Sequence, residues 1–150
     1  MTAGVGKSDV FENDLLKLVF TNVAITNIGD AGGLLPSAVA GSLYWALYTA
    51  DPTEEGTAVS NETAYTNYLR VAAARSGAGF TVTGNSVSPP SNVDFAECGA
   101  TPGGPITHFG IVNTSTGAGK LLYMGTVTPN ITMATGVIPR LKTTSTITES

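Results

Sequence analysis

From Asp9 to Thr21 large apolar residues return every three or four positions. Phe11, Leu15, Leu18 and Val19 form a stripe, Leu16 and Phe20 widen it, and Asn13, Lys17 and Thr21 supply the polar side, which predicts an amphipathic helix over residues 9–21. Asp9 is the expected cap, with Glu12 three residues on completing a capping box. A flexible link follows at Gly29-Asp30-Ala31-Gly32-Gly33. After Pro36 the period changes from helical to alternating. Leu43, Trp45 and Leu47 interleave with Tyr44, Ala46 and Tyr48, so this strand is apolar on both faces and is expected to be covered on both.

Further strands are expected at 65–74 around Tyr68, Arg70 and Val71, and at 80–83, turning through Gly84-Asn85 into Val87. More follow at 93–95, 106–112, 121–127, 131–133 and 138–147. Thr53 to Asn61 reads as an acidic loop, and the Thr-rich tail from Thr143 to Ser150 as an edge strand or an arm. About eight short strands with frequent Gly/Pro turns give the fold expectation. It is a mainly β chain, an antiparallel β-sandwich of jelly-roll-like form with one N-terminal amphipathic helix. The organisation expected is a single domain, with helix and linker at 1–40, the sandwich core at 41–142 and the edge or arm at 143–150.

Charged residues make up only 12% of the chain, about half the usual share. A free monomer ordinarily carries more charge to stay soluble, whereas a chain packed into an assembly does not need it. The net charge is -4, and the seven Lys and Arg are scattered. Without a basic stripe to neutralise phosphates, no nucleic-acid partner is expected. No basic amphipathic helix and no long apolar span points to a membrane. The opening MTAGVGKSDV carries no signal-peptide pattern, and the one cysteine, Cys98, excludes an intrachain disulfide.

Candidate chemistry is sparse. His108 is the only histidine and lies in the strand-like Ile106-Thr-His-Phe-Gly-Ile, where a structural, hydrogen-bonded role is expected. Cys98 sits in a Gly/Pro loop with no neighbouring cation in sequence, so an inert thiol is expected. Gly117-Ala-Gly-Lys120 resembles a phosphate loop only superficially. The required upstream glycine is Thr114 and the residue after the lysine is Leu121, so a hairpin turn is expected. Asp51, Glu54, Glu55 and Glu62 lack calcium-loop spacing and read as a solvated loop. Tyr44, Trp45, Tyr48, Tyr65 and Tyr68 could stack on sugar rings, but strand aromatics more often pack in a core. No cofactor, metal or catalytic residue is assigned.

Three stretches carry a family resemblance. They are LYWALYTADPTEEGT (Leu43 to Thr57), NETAYTNYLRVAAARS (Asn61 to Ser76) and ITHFGIVNTSTGAGKLLYMGTVT (Ile106 to Thr128). Together they resemble a family of small virion proteins of tailed bacteriophages, labelled variously tail-fibre proteins and head cement or decoration proteins. The segments before and after these stretches carry no part of the signature. The resemblance implies no catalytic residues and a virion protein made in the host bacterial cytoplasm.

Between the two labels, a compact domain with one helix favours capsid cement over a long repetitive fibre. On that expectation the chain sits on the capsid exterior, binds the major capsid protein and copies of itself as a dimer or trimer, and stabilises the shell by mass action and avidity. The candidate partner interface is Phe11, Leu15, Leu16, Leu18, Val19 and Phe20. A tail-fibre or receptor-binding module is the alternative. A glycan hydrolase stands third, since Asp51, Glu54, Glu55, Glu62, Asp94 and Glu97 offer no evident catalytic pair.

Overall fold

The structure, a computed structural model, describes residues 6–150. The first five residues, part of the stretch read for a signal pattern, lie outside the described residues. The chain is mainly β with one helix near its N-terminus, and it divides into two compact units.

One unit gathers the described residues up to Gly41, the segment Ala74–Pro90 and the tail Thr143–Ser150. Its helix, α1, runs from Asp9 to Thr21, the range the apolar period predicts. The cap differs from expectation. Ser8, not Asp9, has the extended backbone of a cap, and its side chain accepts a hydrogen bond from the Phe11 amide. Asp9 and Glu12 instead bring negative charge to the first turn, where the helix dipole favours it. The helix ends at Asn22, which takes the left-handed conformation.

α1 lies against β3 (Thr81–Thr83) and β4 (Ser86–Ser88), a hairpin closed by Gly84-Asn85 as the turn residues predict. β9 (Ile147–Thr148) adds to the free side of β4, so the Thr-rich tail is an edge strand. Leu16, Phe20, Phe80, Val87 and Ile147 are buried here, and the rings of Phe20 and Phe80 meet edge to face at 4.9 Å. The Asn13 amide donates to the Gly84 carbonyl at 2.6 Å and fastens the helix to the hairpin turn.

The other unit comprises Ser42–Ala73 and Ser91–Lys142. Its main sheet has the strand order β2-β1-β6-β7, from β2 (Val71–Ala74), β1 (Ser42–Tyr48), β6 (Ile106–Val112) and β7 (Leu121–Ile131). The β1–β6 and β6–β7 pairs are antiparallel. A two-stranded sheet joins β5 (Val93–Asp94) to β8 (Arg140–Leu141), also antiparallel. As expected of a strand apolar on both faces, β1 is buried from Trp45 to Tyr48.

Two glycines make this packing possible. A Cβ on Gly110 would lie 2.9 Å from the Tyr48 ring and 2.8 Å from Leu121, while one on Gly125 would lie 2.8 Å from the Phe109 ring. Tyr48 and Phe109 thus cross the sheet on opposite faces over strands that offer no side chain.

Three strand expectations are corrected. Residues 65–70 are irregular chain with a turn at 66–67, Asn67 being at positive φ, and the strand begins only at Val71. β7 continues to Ile131 and takes in part of the stretch expected to form a separate strand at 131–133. The run 138–147 is not one strand but feeds two short ones in different sheets, β8 and β9.

Candidate assembly surface

In the Ser42–Ala73/Ser91–Lys142 unit the side chains with chemical potential are committed to framework. Arg70 makes a two-pronged ion pair with Glu62, Nε and Nη2 each donating at 2.7 Å. Its remaining donors reach the Thr114 carbonyl at 2.9 Å, the Gly117 carbonyl at 3.0 Å and the Ala58 carbonyl at 3.3 Å. The pair is sequestered, with side-chain exposures of 3% for Arg70 and 13% for Glu62. The Tyr68 hydroxyl donates to Glu62 at 2.9 Å and accepts from the Leu47 amide at 3.0 Å. Tyr48 donates to the Ala58 carbonyl at 3.1 Å.

Burial, reinforced by the Glu62 charge, pushes the Tyr48 and Tyr68 hydroxyls far above the ordinary tyrosine range. Burial first and Cys98 second push Tyr65 up to about 12. Glu62 holds the Arg70 guanidinium above its usual value. Residues from all three signature stretches therefore meet in one structural cluster.

The other candidates are similarly placed. His108 lies in β6 with Nδ1 2.8 Å from the Thr107 hydroxyl. Cys98 is buried, and its thiol points at the Gly99 and Thr101 carbonyls. Gly117-Ala-Gly-Lys120 is a hairpin turn, closed by the Lys120 amide donating to the Asn113 side chain at 2.7 Å, with Gly117 at positive φ. Asp51 accepts from the Thr53 amide, and Asp94 pairs with Arg140. Trp45, Tyr48 and Tyr65 are core residues, while Tyr44 and Tyr68 are half-buried. Among the described residues no group of His, Cys, Asp and Glu could hold a metal ion, and no helix is long and apolar enough to cross a membrane.

In the first unit, apolar surface faces outward. The helix buries the row Glu12, Leu16 and Phe20, spaced four apart. Leu16 and Phe20, two of the six proposed interface residues, are therefore spent on the chain's own core; Phe11, Leu15, Leu18 and Val19 remain half-buried on either side. Larger exposure lies just beyond. Val10 is 72% exposed, Leu35 74% and Val39 82%, and Val23, Ile28 and Leu34 are also exposed.

This apolar segment is nonetheless held in a defined path. Ile25 and Leu34 exchange backbone hydrogen bonds at 3.0 and 2.8 Å, which turns residues 25–34 into a closed loop. Asn22 reads the backbone of Ser37 with both side-chain atoms, each at 2.9 Å. Arg75 closes the base. It donates to the Val19 carbonyl at 2.7 Å, the Leu18 carbonyl at 2.8 Å, the Ala40 carbonyl at 3.0 Å and the Ser37 hydroxyl at 3.2 Å. Sequence reasoning placed Arg75 in the second signature stretch but gave it no role. The one available signal was a helix with no basic residue in its last turn.

One unit thus commits its polar side chains to framework, and the other carries a fixed, exposed apolar loop, features of a structural β module. A family model described as podophage GP4 fiber I protein gp80 matches residues 6–148, and the chain belongs to that family. It is thus a bacteriophage virion structural protein. No curated protein matches the chain.

Proposed function

We propose that the chain is a building block of a virion fibre, held there by apolar contacts of the 22–41 segment with a neighbouring virion protein, and that it carries out no catalysis. The observation that carries this reading is the outward apolar loop, fixed by Arg75 and Asn22, in a chain whose family is described by a fibre. Monomeric surfaces rarely gather large apolar side chains in this way unless something covers them. Burying one such side chain contributes roughly 1.5–3 kcal/mol, so a few of them suffice to hold a protein whose copies are also linked through their neighbours. The absence of catalysis accords with the site chemistry: Glu62 and Asp94 are bound to arginines, and Asp51 caps a turn.

The capsid-cement expectation rested on compactness and low charge, which serve a fibre component equally well, and it gives way to the fibre reading. Immunogold labelling of intact particles with an antibody to this chain tests the choice. Labelling of the fibres is expected, together with loss of host adsorption in particles lacking the protein and unchanged heat resistance of their heads. Uniform labelling of the head, with early rupture of the depleted particles on heating, refutes the fibre reading in favour of cement.

A further inference from the structure

We draw no further inference here: the strongest candidate, the uncharged outer edge of β7 with the shallow groove lined by Thr53, Glu54 and Leu121 to Met124, keeps regular register only from Tyr123 to Thr126, and nothing in the structure shows what covers it.

Discussion

Replacing Arg75 with Met should loosen the apolar loop before anything else. The last turn of α1 explains why. Asn22 and Val23 both turn their amides back to the Lys17 carbonyl, which leaves the Leu18 and Val19 carbonyls without intrahelical donors. Arg75 supplies both, and it brings to the negative end of the helix a positive charge that the helix itself lacks. Its other donors hold Ser37 and Ala40, the far end of the loop. A hydrogen bond to a charged group contributes roughly 1.5–3 kcal/mol, and a cation at a helix C-terminus about 0.3–2 kcal/mol.

These terms are not additive. The side chain is half-buried, so water can take over part of the solvation of the freed carbonyls. A net loss of about 2–4 kcal/mol is expected, less than four full bonds would suggest. Met keeps most of the aliphatic stem, so packing is spared. In native-state hydrogen exchange, a loss of that size speeds opening by about 30- to 900-fold at one decade per 1.36 kcal/mol. The effect should be confined to the amides of Ile25, Leu34 and the last turn of α1, with β1 and β6 unchanged. Arg75→Lys, which keeps the charge but loses the planar fork, should fall between. Unchanged exchange at Ile25 and Leu34 refutes the clamp; equal acceleration in β1 and β6 shows instead that Arg75 supports the whole chain.

Two further predictions follow from burial. Leu16→Ala, at a fully buried position, should cost about 2–5 kcal/mol and lower the melting temperature, whereas Leu15→Asp, half-buried on the flank, should leave the melt near that of the natural chain; equal melts for the two, read by circular dichroism, would show that the helix faces are misassigned. Stability should fall above pH 10: Tyr48, Tyr65 and Tyr68 keep their protons in the folded chain and lose them once unfolded, so the unfolded state binds fewer protons there, and the stability present below 10 declines through the Tyr65 value of about 12. Ultraviolet titration should then show tyrosinate appearing together with loss of the β signal, and complete ionisation of all five tyrosines in a chain that stays folded would contradict the burial account.

How much of this was legible beforehand depended on whether the determining interactions were local. α1, β1 and β6 fall where apolar periodicity places them, because each is defined by its own side-chain pattern and buried face. The Gly84-Asn85 turn and the Gly117 hairpin were equally legible from backbone chemistry. The stretch 65–70 misled because Tyr68 and Arg70 alternate like strand residues, yet their heads are drawn to Glu62 and, for Arg70, to Thr114, which is 44 residues away. Arg75 was opaque for the same reason: its acceptors on α1 lie 56 and 57 residues earlier. In the candidate surface, the helix stripe was read with the right residues but too little selectivity. Periodicity marks a face as apolar without saying that Leu16 and Phe20 sit at its centre while Leu15 and Leu18 sit at its margin.

The scarcity of charge gains a physical sense from where the cations go. Of the seven Lys and Arg, Arg70 and Arg75 are spent holding loops, while Lys7 and Arg140 pair with Glu149 and Asp94. That leaves Lys17, Lys120 and Lys142 outside any ion pair among the described residues. Three dispersed lysines cannot steer a partner or fix its register by electrostatic complementarity, which depends on patches of one sign. On the proposed reading, recognition draws on the apolar side chains fixed along residues 22–41. Apolar contacts are short-ranged and insensitive to the sign of a partner's charge. Such contacts suit a protein that meets its neighbours at high local concentration in an assembling particle, where a fast encounter from dilute solution confers little advantage.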